Sequence, residues 1–124
     1  MTPLLQVALG GALGASARYL TGIAATRLLG RGFPWGTLVV NIAGSFLMGV
    51  LVVILLQFSA NRFAPFLMTG ILGGFTTFSA FSLDVVTLYE RGQGGLAIAY
   101  VLASVTLSIG ALFAGLSLAR SIAT

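Results

Sequence analysis

Two rows of polar residues recur at four-residue intervals. Thr37, Asn41 and Ser45 stand in one apolar stretch, and Tyr100, Ser104 and Ser108 in another. Residues four apart share one face of an α-helix, so each row is a ladder of hydroxyl and amide groups. Such ladders either hydrogen-bond neighbouring helices in a membrane or replace the water around an anion. Phe75, Phe78 and Phe81 recur at intervals of three, and the last two fall on one helical face. That spacing serves ordinary core or lipid-facing packing. It also serves an anion, because an aromatic edge carries partial positive charge without the full cation that would trap the ion. Arg18 is the single base inside an apolar stretch, where a charge marks function or snorkels to an interface. Neither ladder-bearing stretch contains an acid, and Asp84 is the only acid expected within a span. Donors without acids suit an anion.

The elements that carry these residues are apolar helices. The 124 residues are 58% hydrophobic and 6% charged, with a mean hydropathy of +1.10. Soluble domains carry about 25% charged residues, so lipid is the solvent that fits. A spanning helix needs about 20 mostly apolar residues. Four segments qualify, at about residues 4–25, 35–58, 64–89 and 96–118, joined by short Gly-, Pro- and Arg-bearing loops. The expectation is one all-α transmembrane domain over residues 1–124. The N-terminal stretch lacks the basic region of a signal peptide and reads as the start of the first helix.

The third segment, FLMTGILGGFTTFSAFSLDVVTLYE, is the irregular one. Adjacent Gly73 and Gly74 cost about 2 kcal/mol of helix propensity relative to Ala, and two β-branched threonines follow. A break between Gly73 and Phe78 is predicted. At membrane depth irregular backbone survives only when buried in protein or lining a cavity, and its freed carbonyl and N–H groups can hold an ion. A kink that serves only packing is the alternative. Gly10, Gly11, Gly14, Ala43 and Gly44 suit close helix packing.

Composition excludes much else. There is no Cys and no His, and Asp84 and Glu90 are the only carboxylates. Thiol chemistry, most transition-metal sites and the commonest general base are absent, so the chain does not read as an enzyme. The net charge of +4 comes from scattered single arginines, which form no nucleic-acid footprint. With four spans, Arg62 and Arg120 face one side and Arg27, Arg31 and Arg91 the other. That near-balance is too small to fix orientation by the positive-inside rule. It suggests insertion both ways, as an antiparallel homodimer.

GGFTTFSAF at 73–81, after WGTLVVNIAGSFLMG at 35–49 and GGALGASARY at 10–19, resembles the Fluc (CrcB) family of bacterial fluoride channels. The similarity covers essentially the whole chain. It implies a dual-topology antiparallel homodimer in the bacterial inner membrane, with two pores that export cytoplasmic fluoride passively. The family's pore phenylalanines match Phe78 and Phe81, and its pore asparagine matches Asn41. Its polar track matches Tyr100, Ser104 and Ser108, with Thr37 one turn before Asn41, and its first-helix arginine matches Arg18. The resemblance also implies a structural sodium ion held at the dimer centre by carbonyls matching Gly73 and Thr76. One departure is Ala80, where the family more often has Thr. A small multidrug exporter has similar length and helix number but needs a first-helix Glu, where this chain has Arg18. A scaffold subunit would need neither the polar ladders nor a broken helix.

Overall fold

The computed structural model describes residues 2–123, which are almost wholly helical. Helix α1 spans Pro3–Leu29. The Thr2 hydroxyl caps it by accepting from Leu5 N at 3.2 Å. Gly30 ends it at φ 84°, a left-handed conformation that glycine adopts without a Cβ penalty. Helix α2 spans Trp35–Gln57. A short 3₁₀ turn, Asn61–Phe63, leads into α3, which is π-wound over Pro65–Leu72 and closes with one α-turn, Gly73–Phe75. Helix α4 spans Phe78–Glu90 and α5 spans Gly94–Ala123.

Three of these units are long and apolar enough to cross a membrane: α2, the composite Asn61–Glu90, and α5. At 27 residues α1 is long enough, but Arg18 and its glycines leave it short of the apolarity of the other three. Helix α5 runs past the expected residue 118, and α1 past the expected 25.

Packing is in two pairs. Helix α1 lies along α3, and α2 lies along α5. Glycines set the first contact. A Cβ on Gly14 would collide with the Ile71 carbonyl, one on Gly10 with the Phe66 carbonyl, and one on Gly74 would sit 2.8 Å from the Gly11 carbonyl. Gly73 and Gly74 therefore do not break the helix. They lie in its last α-turn, and Gly74 admits α1. Gly11, expected in the same seam, faces open space. A second glycine contact joins α2 to α5, where Gly49 meets the Leu112 carbonyl and Gly115 the Phe46 carbonyl.

One buried cluster ties the ends together. It contains Leu38, Phe81, Leu88, Ala97 and Tyr100, with Phe33 and Trp35 packed against it. Phe33 meets Tyr100 edge-on with centroids 5.3 Å apart, and Tyr100 meets Phe81 at the same distance. About half of the large apolar side chains are exposed, as they are when lipid or another chain covers them.

Candidate functional site

The break falls between α3 and α4, at Thr76 and Thr77. Both have extended backbone, with φ/ψ of −89°/159° and −153°/126°. Asn41 holds it open. Its Nδ2 donates to the Thr77 carbonyl at 3.1 Å, and its Oδ1 accepts from Thr77 N at 2.8 Å. One amide thus satisfies both main-chain groups of a residue that lies in no helix. Asn41 is one of two polar rungs of α2 beside this break, with Ser45 one turn on. The Thr77 hydroxyl then caps α4 by accepting from Ala80 N at 3.1 Å.

These bonds have a consequence for the carbonyls upstream. Thr77 N–H would close a helical turn on the Gly73 carbonyl but donates to Asn41 instead. Ala80 N–H would close one on the Thr76 carbonyl but donates to the Thr77 hydroxyl. The Gly73 and Thr76 carbonyls are therefore left without helical partners. Uncommitted carbonyl oxygens are the donors a hard cation takes, so these two residues fit a neutral-oxygen cation site that needs further oxygens from elsewhere. Among the described residues no cluster of acidic, His or Cys ligands exists. The next carbonyl, Gly74, accepts from Arg18 Nε at 3.0 Å.

Beside the break lies a groove of about 450 Å³, open along one side. It gathers Asn41, Ser45, Thr76, Thr77, Phe78, Phe81, Ser104 and Ser108, with Met48, Val105, Ile109 and Leu112 as apolar walls. No charged side chain lines it. Phe78 and Phe81 lie with ring centroids 5.5 Å apart; Phe78 is 77% exposed and Phe81 only 9%. The Ser104 and Ser108 hydroxyls are buried and make no hydrogen bond of good geometry, although Ser104 lies close to the Tyr100 hydroxyl. A buried hydroxyl without a partner is costly, unless a ligand supplies one.

Three expected residues stand outside this groove. Tyr100 is completely buried at its end, and its hydroxyl donates to Asp84 Oδ2 at 3.0 Å. Thr37 does not continue the Asn41–Ser45 row into the groove. It lies close to the Tyr100 hydroxyl and lines two clefts on the other side of α2. Arg18 lines the larger of these, a cleft of about 670 Å³ that also holds Arg27, Arg31 and the far side of Thr77. Thr77, held by Asn41, thus stands between the uncharged groove and a basic cleft. Asp84 and Thr77 were not among the expected site residues. No periodicity marks either one, because their partners come from other helices.

Among the described residues the protein is all-helical, with spanning-length apolar helices broken beside an uncharged groove of hydroxyl, amide and ring-edge groups. Residues 5–116 match the family described as "CrcB-like protein, Camphor Resistance (CrcB)", and the chain belongs to that family. A relative from Cereibacter sphaeroides strain ATCC 17029, named Fluoride-specific ion channel FluC, is 68% identical over 120 residues, covering 97% of this chain and 96% of the relative. Relatives of the same name from Chelativorans sp. strain BNC1 and Paracoccus denitrificans are 62% and 58% identical. The first covers 98% of this chain and 99% of its own, the second 95% and 94%.

Proposed function

We propose that the protein is a fluoride channel of the bacterial inner membrane, which lets cytoplasmic fluoride leave passively. The observation that carries this reading is the groove: two buried serine hydroxyls without a hydrogen bond of good geometry face two phenylalanines, with no charged side chain between. Fluoride is small and holds its water tightly. A path for it must replace that water with donors, yet bind weakly enough for release. Ser104 and Ser108 each offer an O–H. The Asn41 amide has two N–H groups and spends one on Thr77, leaving the other for the ion. The edges of Phe78 and Phe81 offer partial positive charge. Helix α4 begins at Phe78, in the groove wall, so the positive end of its dipole lies beside the groove. The larger basic cleft, with Arg18 in its wall, supplies the approach from one side.

The groove is open along one side, and about half of the large apolar side chains are exposed. Both features support a second copy as the missing wall, in an antiparallel homodimer with two pores. Insertion in both orientations accords with the near-even arginine count. In that dimer the Gly73 and Thr76 carbonyls of the two copies would together surround a sodium ion, whose charge would hold the two broken helices together. Two copies supply the further oxygens that one alone lacks.

The test is fluoride efflux from liposomes that hold the purified protein, followed with a fluoride electrode, with valinomycin to release the voltage. Fast, valinomycin-dependent efflux with chloride retained is expected. No efflux from a verified dimer would overturn the proposal and favour a scaffold role.

A further inference from the structure

Arg27, Arg31 and Arg91 lie at one end of the helices, in the last turn of α1, the α1–α2 loop and the α4–α5 turn. None makes a hydrogen bond or ion pair among the described residues. The exposed Glu90 lines neither cleft there. At the other end Arg62 stacks on Phe63 with its guanidinium 4.6 Å from the ring centre. The basic end therefore carries guanidinium groups that no ion pair neutralises, with Asp84 the one acid near them, in the cleft that Arg31 and Arg91 line.

Two of them converge. Arg31 lines both the 670 Å³ cleft and a neighbouring cleft of about 290 Å³, and Arg27 lines the first. The Thr26 and Thr37 side chains also line both clefts; Thr26 makes no side-chain hydrogen bond, and Thr37 lies beside the Tyr100 hydroxyl. The floor is bare backbone, because α1 and α2 touch at Gly22 and Gly36, where a Cβ on Gly36 would sit 3.0 Å from Gly22 Cα. Asp84 lines the smaller cleft, so an anion would be held on the Arg27 side of the junction. Fluoride needs neither this volume nor two forked cations. A tetrahedral oxyanion suits both, since guanidinium groups pair with phosphate oxygens two N–H at a time.

We propose that the junction of the two clefts, between Arg27 and Arg31 over the Gly22–Gly36 contact, binds a phosphate-class oxyanion. Its position at the helix ends is the depth of lipid headgroups, and free inorganic phosphate has the same chemistry. An occupant there would stand at the mouth of the cleft that reaches Arg18. The inference rests on the cleft alone and does not depend on fluoride conduction.

The experiment uses the purified full chain in neutral detergent with added phosphatidylglycerol. Native mass spectrometry reads retained lipid. Thermal unfolding in inorganic phosphate, against chloride at equal ionic strength, reads the free anion. Two variants, Arg27→Gln/Arg31→Gln and the charge-keeping Arg27→Lys/Arg31→Lys, are compared with Arg62→Gln at the opposite end. Retention about tenfold lower in the Gln pair, from the loss of charge-assisted bonds, partly lower in the Lys pair and unchanged in Arg62→Gln assigns the site to a headgroup. A midpoint raised by inorganic phosphate in the wild type, with that rise lost in the variants, assigns it to the free anion. Should the Gln pair fail to assemble, the Lys pair decides. Neither retention nor a phosphate shift in the wild type, or equal behaviour in all variants, overturns the proposal.

Discussion

Asn41 grips Thr77 by both main-chain groups, with bonds of 2.8 and 3.1 Å across 36 residues of sequence. This single side chain replaces the helical bond that the Thr77 N–H does not make and adds a second donor to its carbonyl. Asn41→Leu removes both bonds and leaves the Thr77 N–H without a partner, while the Thr77 carbonyl keeps the first bond of α4. The expected loss is about 2 kcal/mol or more, seen as a lower unfolding midpoint. Fluoride efflux should fall with it. Asn41→Asp keeps the acceptor but loses the donor and adds a negative charge beside the groove, so it should abolish efflux with a smaller stability loss.

Phe78 and Phe81 share the groove but not the core. Phe78 is 77% exposed, whereas Phe81 is packed against Tyr100. Phe78→Ala should change stability by less than about 0.5 kcal/mol, and Phe81→Ala should cost about 3–5 kcal/mol. Both should stop fluoride efflux, because both remove a ring edge from the groove. Phe78→Ile and Phe81→Ile, which keep apolar bulk, should stop efflux while the assembly stays folded. Normal flux in both Ile variants would remove the ring-edge mechanism.

The glycine seam gives a test of packing alone. Gly14→Ala would press a methyl group on the Ile71 backbone, and a carbonyl cannot swing aside as a side chain does. A loss of about 2–3 kcal/mol is expected. Gly11→Ala, which meets nothing within 4 Å, should be neutral or gain helix propensity. Thermal unfolding of the two variants side by side reads the difference.

How much of this was legible in the sequence depends on the range of the interaction. Apolar runs, loop residues and four-residue spacing are local, and they located the long helices and the two serine rungs of α5. The break was expected near Gly73–Phe78, and it lies at Thr76–Thr77. The glycines before it turned out to serve packing, and the threonines carry the extended backbone. What fixes the break is Asn41, and nothing in the third segment announces a partner in the second. The π-winding of Pro65–Leu72 was not legible for the same reason. It brings Gly70 so near α1 that a Cβ there would sit 2.9 Å from Gly10 Cα, a fit to another helix rather than a local preference. The Thr37 row also misled, since a ladder drawn on an ideal helix does not say where a neighbouring helix divides it. Between Thr37 and Asn41 the Thr77 segment comes in, so the two rungs line different cavities.

Tyr100 and Asp84 form the other long-range pair, hydroxyl to carboxyl oxygen at 3.0 Å. Tyr100→Phe and Asp84→Asn each remove part of it. In a double-mutant cycle the two should couple by about 1–2 kcal/mol. If Tyr100 only fills space beside Phe81, Tyr100→Phe will leave efflux unchanged. If its hydroxyl belongs to the ion path, efflux will fall although the ring and its packing remain.

Ser104 and Ser108 separate a binding role from a structural one most cleanly. A hydroxyl that hydrogen-bonded another helix would cost stability when removed. Both of these are buried without a hydrogen bond of good geometry, so the folded protein already bears their desolvation. Ser104→Ala and Ser108→Ala should therefore be neutral, or stabilising by up to about 1 kcal/mol. Efflux should fall in each, because the passing ion loses a donor that nothing else replaces. A variant that gains stability while losing flux is the signature of a group kept for its ligand. Ser108→Thr restores the hydroxyl at the cost of an extra methyl group, and it should recover part of the flux. A drop in unfolding midpoint with unchanged efflux would instead assign both serines to helix packing and leave the groove without its donors.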